Sequence, residues 1–264
     1  MSELCVYYLQ LDLKNLYGVC ARNPLLSCDG KLDTCQVGEP VPYDPDVKLH
    51  VSEIYPAISG EGASTGMTCA IVRLVGCNHK CTYCDSKYAY EGGESLTVAE
   101  IIKKLNAIDI KTILLTGGEP LLQKDGVLSL LRAFIEHKFI TYVETNGSID
   151  IRPFKWSAHL VMDVKCPSSG MVSRNYLKNL DNITSGDEVK FVIGTREDYD
   201  YANSIIREYD LLRKTPNIWI SPIWSSDDKT FMQNLSNWMI EGKSTVRLML
   251  QQHKVIWDAN KRGV

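Results

Sequence analysis

Long apolar runs are missing from this chain of 264 residues. No stretch approaches the roughly 20 apolar residues a bilayer-spanning helix needs, so a membrane protein of that kind is not expected. An excess of one charge is missing too: 29 Lys and Arg face 32 Asp and Glu, a net charge of -3. That balance offers no electrostatic footprint for bulk nucleic acid or a lipid surface. The opening M-S-E-L-C-V-Y-Y-L-Q-L-D-L-K shows no basic region followed by an apolar core, so no secretory signal is visible. A cytoplasmic setting with reduced thiols is the expectation.

Cysteine is what the chain has in quantity, nine in all. Four of them, Cys5, Cys20, Cys28 and Cys35, precede residue 36 at spacings that match no metal motif, and they read as free structural thiols. Three more, Cys77, Cys81 and Cys84, are compressed into C-N-H-K-C-T-Y-C, a C-x3-C-x2-C run after an apolar strand-like stretch. Iron–sulfur cubanes are normally held by four cysteines. Three thiolates leave one iron open, and no fourth cysteine follows until Cys166. An open coordination position separates a reactive centre from a sealed one, as it does for zinc. The alternatives are a zinc site completed by His79 or three unrelated thiols. Structural zinc sites, however, come as two well-separated pairs.

Residues 1–48 read as an extension ending in the turn-rich V-G-E-P-V-P-Y-D-P-D, and 49–264 as the main domain. From residue 50 onward the pattern alternates between strands and helices. The expected strands are Met67–Val75, Lys111–Thr116, Ile140–Thr145, His159–Lys165, Glu188–Ile193, Asn217–Ser221 and Val246–Leu250. Thr97 to Glu100 is a capping box before a helix striped by Val98, Ile101, Ile102 and Leu105. Repeated β-then-α units imply a parallel sheet. Six or seven strands are too few for a closed eight-stranded barrel, so the fold class expected is α/β, an open, partial parallel β/α barrel. Side chains alternate along a strand. Arg73, Thr116, Glu144, Asp163 and Lys165 recur on polar faces near strand C-termini, the end that carries chemistry in barrels.

T-G-G-E-P, Thr116 to Pro120, follows the second of those strands. With the cysteine loop before it, it resembles the segment that meets the methionyl group in the radical S-adenosylmethionine superfamily. I-S-G-E-G (Ile58 to Gly62), C-D-S (Cys84 to Ser86), E-T-N-G-S (Glu144 to Ser148), K-C-P-S-S-G-M-V (Lys165 to Val172) and the ending N-K-R-G-V are similar to the 7-carboxy-7-deazaguanine synthase family over roughly residues 50–264. The resemblance implies a radical enzyme that turns 6-carboxy-5,6,7,8-tetrahydropterin into 7-carboxy-7-deazaguanine with loss of ammonia, through a 5′-deoxyadenosyl radical. It further implies a 4Fe-4S cluster on Cys77, Cys81 and Cys84, S-adenosylmethionine, and a magnesium ion at Ser86, whose alternative is a helix N-cap. Substrate would meet Ile58, Ser59, Gly60, Glu61, Arg73, Thr116 and Val264, with Arg73, Thr116 and Lys165 as the catalytic set. Cofactor would meet Tyr83, Asp85, Gly118, Glu144, Asp163, Val164, Lys165, Ser221, Pro222, Ile223 and Trp224. Many members carry S-P-K where this chain has Asp163-Val164-Lys165, and Q-P where it has Ser221-Pro222. A homodimer and an electron donor such as flavodoxin are also implied. The competing readings are an activase of a glycyl-radical enzyme and a non-catalytic iron–sulfur or zinc module.

Overall fold

The structure is a computed structural model that describes residues 42–155, 157–224, 229–258 and 261–264, with the backbone of three short N-terminal strands. Those strands, β1 (Tyr8–Leu9), β2 (Gly18–Cys20) and β3 (Asn23–Cys28), form a small antiparallel sheet. The side chains of Cys5, Cys20, Cys28 and Cys35 lie outside the described residues.

The main sheet is built from β4 (Lys48–Ile58), β5 (Thr68–Leu74), β6 (Glu94–Thr97), β7 (Thr112–Gly117), β8 (Ile140–Thr145), β9 (His159–Asp163), β10 (Glu188–Ile193), β11 (Ile218–Pro222) and β12 (Arg247–Leu248). Its order is β12-β11-β10-β9-β8-β7-β5-β4-β6. From β5 to β12 every pairing is parallel, while β4 runs antiparallel to both β5 and β6. Among the described residues β12 and β6 do not pair with each other, so the barrel is open as expected, although the sheet has nine strands rather than six or seven. Two strands escape the sequence pattern. β4 carries Pro56 and no clean alternation, and β6 is only four residues long.

Helices α1 (Val98–Ile108), α2 (Lys124–Glu136), α3 (Arg196–Glu208), α4 (Leu211–Lys214), α5 (Lys229–Glu241) and α6 (Gln252–Ile256) complete the fold. The capping box at α1 is present, with the Thr97 hydroxyl accepting from Glu100 N–H at 3.2 Å and the Glu100 carboxylate accepting from Thr97 N–H at 2.8 Å. A second box, Thr195 with Asp198, opens α3. The crossovers from β8 to β9 and from β9 to β10 contain 3-10 turns, not α-helices, so the β-then-α alternation is broken there.

Apolar faces of the strands and of α1, α2 and α3 meet in one core that includes Ile101, Leu105, Leu115, Leu130, Phe134, Leu160 and Phe191. Burying each such side chain contributes about 1.5–3 kcal/mol. Opposite that core, the strand faces that the core does not use converge on a cavity at the C-terminal ends of the parallel strands. Among the described residues no helix is long and apolar enough to cross a membrane.

Candidate active site

A cavity of about 730 Å³ opens among the C-terminal ends of β5, β7, β8, β9, β10 and β11. Strand parity decides what lines it. Ile71 and Arg73 come from β5, Leu114 and Thr116 from β7, Glu144 from β8, Val161 and Asp163 from β9, Lys190 and Val192 from β10, and Ser221 from β11. The intervening residues, Val72, Leu115, Val143, Met162 and Val189, point into the core.

Of the residues singled out from the sequence, Ile58, Ser59, Gly60, Glu61, Arg73, Cys81, Tyr83, Cys84, Asp85 and Ser86 all line the cavity. So do Thr116, Gly118, Glu144, Asp163, Lys165, Ser221, Pro222, Ile223, Trp224 and Val264. Val164 does not. Its side chain is buried in the core and its N–H donates to the Lys190 carbonyl at 2.9 Å. Cys77 sits just behind the lining, with its Sγ accepting from Asn146 Nδ2 at 3.8 Å and from His79 N–H at 3.4 Å.

The floor is a charged lattice. Thr116 Oγ1 donates to Glu144 Oε2 at 2.7 Å. Lys165 Nζ pairs with Asp163 at 2.9 Å, and Lys190 Nζ reaches Glu61 at 2.7 Å and Asp163 at 3.5 Å. Burial works against the Asp163 anion, yet Lys165 and Lys190 outweigh it and hold the carboxyl below its usual range. The same contest at Glu61 is decided by Lys190 and Gln251, which hold it below its usual range. At Glu144 burial prevails over Lys190, and the carboxyl lies above its usual range. Burial also opposes the Lys190 charge, but Asp163, Glu61 and Glu144 together raise its pKa well above the ordinary lysine value.

Arg73 is held at its back. Its Nε donates to Glu53 at 2.7 Å, its Nη2 to Tyr55 Oη at 3.4 Å, and its guanidinium lies 5.7 Å from the Tyr88 ring centroid. This ion pair at the strand end coexists with the cavity, since Arg73 still lines it. Ser86 occupies the N-cap position of the turn Lys87–Tyr90 without making a capping bond. Its hydroxyl donates to Asp85 Oδ1 at 3.0 Å.

The T-G-G-E-P segment acts more on the cysteine loop than its sequence suggested. A Cβ at Gly118 would collide with the Gly76 carbonyl and lie 2.7 Å from Cys77 Cβ, so glycine is what lets the two loops touch. The Glu119 carboxylate is buried and faces away from the cavity. It accepts from Leu121 N–H at 3.0 Å, Thr145 Oγ1 at 2.9 Å and Asn146 N–H at 2.6 Å, tying this segment to E-T-N-G-S. Burial nevertheless lifts its pKa to about 7. Gly118→Ala is expected to push the cysteine loop outward and lose most of the iron on anaerobic reconstitution while the far-ultraviolet circular dichroism stays unchanged. Iron content equal to that of the wild type at the same protein concentration would contradict it.

Sequence reasoning missed the rim. Gln251 donates to Glu61 at 2.6 Å, Lys254 pairs with Asp85, and Arg262 lies 3.6 Å from the Tyr88 ring centroid and 3.8 Å from Glu53. His253 packs so close to Gly60 that any Cβ there would collide with its ring. The C-terminal segment thus folds back across the cavity mouth, with Val264 among its lining residues. The missed Lys190 did carry a signal, since it shares strand parity with Glu188 and Val192.

The donor set fits an iron–sulfur cluster with a polar ligand beside it. The described cysteines form no disulfide, and burial raises the pKa of Cys77 and Cys81, with the neighbouring thiols of the triplet adding to it. Among the described residues no group of three or more His, Cys, Asp and Glu side chains could hold a metal ion. A cubane asks for something else, one thiolate per iron. Both ring nitrogens of His79 are buried without a hydrogen-bond partner, and burial lowers its pKa to about 4. Two groups lining the cavity, Tyr83 Oη and Trp224 Nε1, are likewise buried and unpartnered, the usual mark of a missing polar partner.

Comparison with known proteins agrees with this geometry. Residues 71–156 match the model of the radical SAM superfamily. The chain is 34% identical over 226 residues to the 7-carboxy-7-deazaguanine synthase of Koribacter versatilis, covering 82% of this chain and 100% of that one. It is 36% identical over 222 residues to the enzyme of the same name from Chlorobaculum tepidum, covering 83% of this chain and 99% of the other. The crystal structure of QueE from Escherichia coli superposes with a TM-score of 0.62 at 18% identity, covering 77% of this chain and 94% of that one, a likeness of fold.

Proposed function

The chain belongs to the 7-carboxy-7-deazaguanine synthase family, and from that membership we propose how its cavity performs the family's reaction. The substrate is 6-carboxy-5,6,7,8-tetrahydropterin and the product 7-carboxy-7-deazaguanine, with ammonia leaving. One observation carries the assignment: two thiols of the cysteine triplet share a single cavity with Arg73, Glu144, Asp163 and both buried lysines.

When bound, the 4Fe-4S cluster and S-adenosylmethionine supply one-electron chemistry that takes a hydrogen atom from the substrate. The protein supplies position and dryness. Cys77, Cys81 and Cys84 would hold the cluster, one thiolate to an iron. Tyr83 Oη, Trp224 Nε1 and the Asp163–Lys165 pair line the cavity and would offer polar partners to the amino acid and ribose ends of the cofactor. Glu53 and Tyr55 fix Arg73 through Nε and Nη2, and Nη1 is left to meet the substrate carboxylate. Glu61 and Glu144 are acceptors for the amino edge of the pterin. The rim residues Gln251, His253 and Lys254 keep water out of the chamber.

Ser86 with Asp85 offers oxygen donors to a magnesium ion. Residues 49–264 carry the reaction. The enzyme works in the cytoplasm as a homodimer and takes electrons from a small donor such as flavodoxin.

The test is an anaerobic assay with reconstituted protein, reductant, S-adenosylmethionine, magnesium and the carboxytetrahydropterin, read by ultraviolet absorbance and mass. Formation of 5′-deoxyadenosine without product would retain the superfamily and sink the substrate. Arg73→Ala should weaken substrate binding about 10- to 100-fold, the worth of a charge-assisted pair, and leave S-adenosylmethionine binding nearly unchanged. Equal losses in equilibrium titrations of both ligands would refute the role given to Arg73.

A further inference from the structure

Asn146 lies one residue beyond β8, is 6% exposed, and has no role in the reading above. Its surroundings fix it completely. Its backbone N–H is held by Glu119 Oε2 at 2.6 Å. Its side-chain Oδ1 accepts from Ser148 N–H at 3.0 Å and Ser148 Oγ at 2.6 Å. Its Nδ2 donates to Asn78 Oδ1 at 2.9 Å and to Cys77 Sγ at 3.8 Å. An asparagine side chain has two donor hydrogens and two acceptor lone pairs, and all four are used. The Ser148 backbone N–H can only donate, so the carboxamide oxygen must face it. The amide nitrogen must then face the cysteine.

From this geometry we propose that Asn146 is a positioning residue for the cluster: its amide N–H donates to the Cys77 ligand and raises the cluster's reduction potential. The inference rests on the assignment of Cys77 as a cluster ligand. A hydrogen bond to a ligand sulfur withdraws electron density from it and favours the more negative, reduced cluster, and such bonds are among the levers that set these potentials. The Asn146 bond works beside the backbone donor His79 N–H on the same sulfur. Two motifs that look independent in sequence are thereby joined. Glu119 of T-G-G-E-P holds the Asn146 backbone, and Ser148 of E-T-N-G-S aims its amide.

The test uses the full chain, reconstituted anaerobically without S-adenosylmethionine, as wild type, Asn146→Ala and Ser148→Ala. Iron content and the spectrum report loading, and a mediated redox titration read by electron paramagnetic resonance reports the potential. Asn146→Ala should load the cluster and shift its reduction equilibrium about tenfold towards the oxidised form, about 59 mV for one electron. Ser148→Ala removes the hydroxyl bond to the amide oxygen, keeps the backbone one, and should shift the equilibrium the same way by less. Unchanged potentials at equal iron content overturn the proposal and leave the cluster assignment standing. If Asn146→Ala fails to load, Ser148→Ala decides: a shift supports the proposal, and an unshifted potential overturns it. A wild type that takes up no cluster removes the assignment and the proposal together.

Discussion

Cys84→Ala is expected to abolish both 5′-deoxyadenosine and product while leaving the chain folded. The thiol lines the cavity and is no part of the buried apolar core. Its N–H donates to the Cys81 carbonyl at 3.3 Å, a turn that alanine retains. Losing it removes one of only three protein ligands, and a cubane with two is expected not to survive buffer exchange. The informative control is Cys166→Ala. That thiol is fully buried in the core, and burial raises its pKa, so it stays protonated and unfit as a ligand. Its replacement should cost about 1 kcal/mol of stability and no iron. Iron per chain after desalting, with the characteristic absorption of the cluster, checks both. A Cys84→Ala protein that keeps full iron, or a Cys166→Ala protein that loses it, would show that the triplet does not hold the cluster alone.

Much of this site was legible because it obeys short-range rules. Period-two alternation put Arg73, Thr116, Glu144 and Asp163 on one face of their strands, and the structure keeps them there. The same rule already set Val164 on the opposite face from Asp163, and its side chain is indeed in the core. Lys190 was equally readable but hides inside E-V-K-F-V-I, where one cation among apolar residues reads as a solvated side chain. What local pattern could not supply is partnership. Glu53 reaches Arg73 from β4, a strand that Pro56 disguised. Gln251, His253, Lys254 and Arg262 reach the cavity only because the chain returns over its mouth. Glu119 resembles a ligand group in sequence and is a buried tie between loops in space. Nothing within five residues of it gives that away, since the partners that settle its role, Thr145 and Asn146, lie on the next strand and the loop after it.

Lys190 carries the other large effect. It is a buried cation bonded to Glu61 and Asp163, and Glu144 also raises its pKa. Lys190→Met keeps the length and apolar stem but leaves the carboxylates with less compensation. Asp163 retains Lys165, so the burden falls on Glu61 and Glu144. Deleting one partner of a buried pair costs about 3–5 kcal/mol. At about 2–4 °C per kcal/mol for a domain near this size, the melting temperature should drop by about 10 °C at neutral pH. The pH dependence of the Glu61 contribution should change sign. In the wild type Glu61 titrates below the ordinary carboxyl value of 4.5, so its contribution is present above that value and fades as pH falls through the folded pKa. Without Lys190, burial governs and the folded pKa of Glu61 rises above 4.5, joining Glu144. Such a group favours the fold when protonated and penalises it as pH climbs past the unfolded value. Glu119 and Glu144, raised in both chains, favour the fold as pH falls from 7 towards 5, and the Lys190→Met chain should gain more over that range than the wild type because Glu61 joins them. Adding Glu61→Gln should restore part of the loss, because the second change removes an unpaired charge and not a contact. Thermal melts of the three proteins at both pH values decide it: parallel pH profiles for wild type and Lys190→Met would mean that this lysine does not neutralise the acidic floor of the cavity.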